Sequence, residues 1–126
     1  MNQYEREYEL KKVELTQIYD MIRTGDFICI SYNALEPVGF LRNLHTIKDR
    51  VENVTLRHGG LWYDYPFAGR EDMKGHFKAL TTFYDSFCRS HHTCRLASLV
   101  PGNMHNNTER VLEDHHINMY YGLAAP

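Results

Sequence analysis

The sequence predicts an α/β protein built on an open, mostly parallel sheet flanked by helices. Three observations carry that expectation. Phe27-Ile28-Cys29-Ile30 is a short continuous apolar run, the pattern of a strand buried on both faces of a parallel sheet. Leu15, Ile18, Tyr19 and Ile22 before it, and Pro37, Phe40, Leu41, Leu44, Ile47 and Val51 after it, recur at helical spacing. Strand-like and helix-like segments then alternate along the rest of the chain, which implies right-handed crossovers between parallel strands.

Each element has a local reason. Residues 1–12 are highly charged and read as an exposed helix or arm. Gly25 stands where a helix C-cap belongs, two residues after Arg23. Pro37 suits the first position of a helix, and Glu36 before it favours the positive helix start. Asn53-Val54-Thr55-Leu56-Arg57 reads as a second strand, stopped by Gly59-Gly60. Residues 62–75 form an irregular loop with a short helix. Residues 80–84 are β-branched and aromatic enough for a third strand. Residues 87–97 fit a helix, followed by strand residues Ser98-Leu99-Val100 and the breaker Pro101-Gly102. Asn107 or Thr108 would cap a helix through Val111, Leu112 and Asp114. Residues 117–123 read as the last strand.

Composition removes several function classes. The chain has 126 residues, with 14 Lys and Arg against 16 Asp and Glu. With a pI near 6.4 and no clustered basic residues, the electrostatic footprint of a nucleic-acid binder is absent. No apolar run approaches the ~18 residues of a membrane span, and the polar start does not read as a signal peptide. Three widely spaced cysteines, Cys29, Cys88 and Cys94, argue against a disulfide framework and suit a reducing, cytoplasmic location.

In open α/β sheets ligands sit outside the carboxyl ends of the strands. That rule selects Ser31, Tyr32, Asn33 and Glu36 after the first strand and His58, Gly59 and Gly60 after the second. After the fourth come Pro101, Gly102, Asn103 and His105. The chain stops where the fifth strand would hand over to a loop, and is expected to be truncated. Glu36 is either a catalytic carboxylate or an acidic residue favoured by the helix dipole. Cys88, His91, His92 and Cys94, with His115 and His116, offer a metal or thiol site, but lack the tight pairing of zinc sites. No orienting third group completes a Cys–His nucleophile. Trp62, Tyr63, Tyr65 and Phe67 either stack a ligand or pack a long loop.

These blocks together resemble the start of the acetyl-CoA hydrolase/transferase family, which includes 4-hydroxybutyrate, butyrate and acetate CoA-transferases. The matching features run in order: Gly25-Asp26 before a strand, Glu36-Pro37 opening a helix, and Asn53-Val54-Thr55-Leu56 with His58-Gly59. His76-Phe77, Arg89, Val100-Pro101, and Ile117-Asn118-Met119 through Ala124-Ala125-Pro126 complete the likeness. The resemblance implies that residues 13–126 are part of a CoA-transferase N-terminal domain of NagB/RpiA-like fold. It implies coenzyme A transfer between an acyl-CoA and a small carboxylate, or thioester hydrolysis, through a glutamyl-CoA intermediate. The nucleophilic glutamate and the glycine-rich CoA loop of such proteins lie in a second half absent from this chain, so this piece alone is expected to be inactive.

The same likeness implies a wall of the cleft lined by Ser31, Tyr32, Asn33, Glu36, His58, Gly59, Pro101, Gly102 and Asn103. It implies no tightly bound cofactor and no metal, with the thioester as substrate. The expected partners are acyl-CoA, a small carboxylate, and either the missing half or further copies of the chain, with no nucleic acid and no membrane. Tyr32 and Asn33 depart from the family's small, glycine-containing turn. Two other functions compete: a non-catalytic interaction domain that kept the fold, and the small metal or thiol site at Cys88, His91, His92 and Cys94.

Overall fold

The computed structural model describes residues 2–31, 33–91, 97–103, 105, 109 and 117–123. Among the described residues five strands form one parallel sheet: β1 (Phe27–Ile30), β2 (Val54–His58), β3 (Phe77–Thr81), β4 (Ala97–Leu99) and β5 (Met119–Tyr121). Their order is β4-β3-β2-β1-β5. The chain thus steps outward from β1 to β4, then returns to the opposite flank of β1. That reversal places the topological switch point between β1 and β5.

The charged start is a helix, α1 (Gln3–Lys11), begun by a capping box in which Asn2 and Glu5 each satisfy the other's backbone N–H. It buries none of its residues. Helix α2 (Leu15–Met21) turns Tyr19 inward, and its hydroxyl donates to the Phe40 carbonyl at 2.7 Å. Burial pushes that hydroxyl up to about 12. Gly25 then adopts φ +82°, and its N–H reaches the Glu52 carbonyl at 2.9 Å. The glycine's freedom is used to turn the chain into β1 rather than to cap α2, whose C-cap is Ile22.

Four expected elements differ, the last strand among them: expected over residues 117–123, it is β5 (Met119–Tyr121). The single helix expected from Pro37 is α3 (Val38–Asn43) followed by a 3₁₀ segment, Leu44–Arg50. The apolar stripe survives the change, because Phe40, Leu41, Leu44 and Ile47 all enter the core. The third strand starts at Phe77, earlier than residues 80–84, since Phe77, Ala79 and Thr81 point to the buried face while Lys78 points out. Helix α5 is described over Ser86–His91, and Ala97, expected to belong to it, lies in β4. Between β2 and β3 lie α4 (Pro66–Gly69) and a 3₁₀ turn, Glu71–Met73, the expected loop with a short helix. The helix expected beyond Asn107 falls outside the described residues.

One face of the sheet carries the core. Ile28 pairs in register with Leu56 and Met119, Leu56 with Ala79, and Ala79 with Ala97. Against these pack Ile22, Phe40, Leu41, Leu44, Phe67 and Phe87. The opposite face is more open than the apolar run of β1 led us to expect. Phe27, Cys29 and Thr55 are half-buried there and Lys78 and Tyr120 are exposed, although Arg57 and Leu80 on the same face are buried. Strand β1 therefore alternates, rather than being sealed on both sides. Among the described residues no helix is long and apolar enough to cross a membrane.

Leu56 is fully buried at the centre of this face. Leu56→Ala removes its packing and leaves a cavity, so a loss of about 3 kcal/mol is expected. Urea unfolding of the variant and the parent measures it; a loss below ~1 kcal/mol would contradict this account of the core.

Candidate functional site

The carboxyl rim gathers residues from three strand exits. After β1, the Ser31 N–H donates to the Tyr121 carbonyl at 2.8 Å, and the Ser31 hydroxyl donates to the Leu35 carbonyl. A Cβ at Gly122 would stand 3.0 Å from Ser31 Oγ and 3.2 Å from the Tyr120 ring. Glycine is therefore what lets the β5 exit lie against Ser31. Asn33 is exposed with φ +58° and opens a 3₁₀ turn, Asn33–Leu35. Tyr32 falls outside the described residues.

Glu36 follows that turn and is only 3% exposed. Its Oε2 accepts the Trp62 N–H at 3.0 Å, and its Oε1 accepts the Tyr65 hydroxyl. A carboxylate removed from water needs such donors. Burial, then the bond to Glu36 and its charge, push the Tyr65 hydroxyl well above its ordinary range. Glu36 therefore ties the loop after β1 to the loop after β2. Tyr65 and Phe67 are buried, while Trp62 and Tyr63 stand out on the rim. Loop packing, one of the two alternatives offered for the four aromatics, therefore describes Tyr65 and Phe67.

His58 ends β2 at 2% exposure, and neither ring nitrogen has a hydrogen-bond partner among the described residues. Burial pulls its imidazole down to about 4, against a smaller upward pull from Asp85. Asp85 binds both sides of the next gap: Oδ2 accepts the Leu61 N–H at 3.0 Å and Oδ1 the Cys88 N–H at 2.8 Å. It thus caps α5 and holds the turn after Gly59 and Gly60. Gly60 has φ +146°, with Asp85 Oδ2 3.4 Å from where a Cβ would stand. Nothing local in the sequence marked Asp85 or the Glu36–Tyr65 pair.

Pro101, Gly102 and Asn103 are exposed just past β4. The sheet order separates them from β1 by two strands. Ser31, Asn33, Glu36, His58 and Gly59 therefore line neighbouring exits, while Pro101–Asn103 sit at the far edge.

The thiol cluster is differently arranged. Cys88 lies in the core, and burial, then the Asp85 carboxylate, push its thiol up to about 12. His91 faces the Phe87 carbonyl at 2.9 Å through Nδ1 and Asp64 at 3.8 Å through Nε2. His92, Cys94, His115 and His116 fall outside the described residues. Among the described residues no three His, Cys, Asp or Glu side chains are placed to hold a metal ion.

The fold and rim define an open parallel α/β architecture. No protein-family model matches the chain, and no curated protein matches it. Among solved structures, it is similar to the crystal structure of RipA from Yersinia pestis, with a TM-score of 0.80 and 17% sequence identity. A glutamate-to-aspartate mutant of RipA matches at a TM-score of 0.81 and the same identity. Each match covers 99% of this chain and 31% of that one. The likeness is one of fold.

Two outcomes test this geometry. Tyr65→Phe leaves a buried carboxylate oxygen without its donor and should cost about 2 kcal/mol in urea unfolding; unchanged stability would refute the clamp. For His58, the unfolded imidazole titrates near 6.5 and the folded one near 4, so between these values the unfolded state holds more protons. Stability then rises with pH through that window and loses about 3 kcal/mol on descending it. His58→Gln should remove that slope; an identical pH profile in parent and variant would exclude the effect.

Proposed function

We propose that this chain forms the first part of a CoA-transferase, moving coenzyme A between an acyl-CoA and a small carboxylate such as acetate, butyrate or 4-hydroxybutyrate. The nucleophilic glutamate lies outside the chain, and its own residues provide a wall of the cleft. The observation that carries this reading is the neighbouring placement of Ser31, Asn33, Glu36, His58 and Gly59 at the exits of β1 and β2. The ordered sequence resemblance supports it.

The chemistry of these side chains fits a supporting part. Glu36 already accepts two internal hydrogen bonds, and the His58 imidazole is held neutral. Neither is set up as an attacking group. On this reading the small Ser31 and Gly59, buried at the two strand exits, leave room above them for the acyl portion, and binding energy from the long CoA body is used at the reacting carbonyl. The glutamate supplied elsewhere attacks the thioester, forming an acyl-glutamyl anhydride and expelling CoA thiolate, which returns to give the glutamyl thioester and release the acyl group as a free carboxylate. Cytoplasmic acyl-CoA metabolism is the setting this implies.

A titration of the isotope-labelled chain with butyryl-CoA, followed by amide NMR, tests the reading. The Ser31, Asn33 and Gly59 amides should shift together while those of α1 stay put. Absence of rim shifts at saturating thioester would refute it. So would transfer of labelled acetate into acyl-CoA by the chain unaided, since the nucleophile would then lie within it.

A further inference from the structure

We propose that α1 docks antiparallel against α1 of a second copy of this chain, through a face built on Tyr4 and Tyr8. The helix is nine residues long and none of its residues is buried. In water a helix shorter than about 12 residues is marginal by itself, and most helices owe their stability to the packing of one face. Yet α1 is closed at both ends. Asn2 and Glu5 form the capping box at its start, and the Lys12 N–H donates to the Tyr8 carbonyl at 2.9 Å at its end. Tyr4 and Tyr8, four positions apart, stand one above the other on a single side of the helix. They are 80% and 64% exposed. Tyrosine, with an apolar body and a polar tip, is a residue type enriched where proteins meet.

The charges around that face select the occupant. Glu7 and Lys11 stand three positions after Tyr4 and Tyr8 and border the face, while Arg6 lies on the opposite side of the helix. The border is therefore acidic in its first half and basic in its last. Glu7 accepts the Gln3 side-chain amide at 3.1 Å. Among the described residues no ion pair engages Lys11 or Lys12. Antiparallel pairing sets Glu7 of each helix beside Lys11 of the other, and it opposes the two helix dipoles. Parallel pairing would set like charge on like. The arrangement is self-complementary, as a twofold contact requires. A purely apolar surface would leave both charges unmet. Two helices about 14 Å long bury less than a standard interface, so the association is weak and grows with concentration. It does not rest on the transferase reading.

Sedimentation equilibrium over a concentration series reaching about 1 mM tests the contact. The parent chain should pass from monomer to dimer. Tyr4→Ser combined with Tyr8→Ser should weaken dimerisation at least about tenfold. The urea midpoint of the monomer should not move, because neither ring is buried in it. Glu7→Lys and Lys11→Glu, made singly, should each weaken the dimer, since each sets like charges side by side in the antiparallel pair. The two together in one chain should restore it, which a merely local effect of either charge would not do. A parent that stays monomeric across the series would overturn the proposal. So would a dimer indifferent to the tyrosines, single charge variants that dimerise as the parent does, or a paired reversal that fails to restore association. A monomeric chain whose α1 bound lipid vesicles would give the face to another occupant and overturn it equally.

Discussion

A carboxylate buried at the mouth of a sheet has to be satisfied, and Glu36 meets that constraint with partners from a different loop. The Tyr65 hydroxyl and the Trp62 N–H come from residues 29 and 26 positions away. Their cost of ordering is repaid because an unpaired carboxylate in that place would be more costly still. Once Tyr65 is fixed, its ring stacks on Phe67 at 6.1 Å, and Phe67 meets Phe77 edge-on at 6.2 Å. A chain of aromatic contacts therefore runs from the rim to β3. The loop between β2 and β3 owes its shape to that chain more than to regular structure of its own.

Polar groups near the rim share one electrostatic fate. The Cys88 thiol and Tyr65 hydroxyl are driven up by burial, and the His58 imidazole is driven down. All three shifts favour the neutral form. Asp85 and Glu36 instead direct their oxygens to backbone and hydroxyl donors. Such a collection is suited to holding loops in place. A general base or an activated thiol would need a pKa nearer neutrality.

Much of the architecture was legible from local pattern. Strand β1 falls where the run Phe27-Ile28-Cys29-Ile30 placed it, and β2 is displaced by a single residue, because apolar runs bounded by glycine are strong signals. The third strand was less legible. Thr82, Phe83 and Tyr84 have the higher β-propensity, but Phe83 is exposed and Phe77 with Ala79 meets the core. Tertiary packing overrode propensity there. The rim residues after β1 and β2 followed from the rule about strand ends. The Glu36–Tyr65 pair did not, because it joins side chains far apart in sequence through a bond that leaves no local spacing. The division of the loop aromatics was hidden for the same reason.

Strand β5 joins β1 through parts of the chain that are remote from each other. Asn118 donates to Asp26 and accepts the Phe27 N–H, contacts spanning 92 and 91 positions. Bringing such remote segments together carries a loop-closure entropy that only completed pairing offsets. Until that pairing forms, one flank of β1 shows open N–H and C=O groups to any other extended chain. During synthesis this seam is where a nascent copy is most vulnerable to pairing with a neighbour, and where a chaperone would have most to protect.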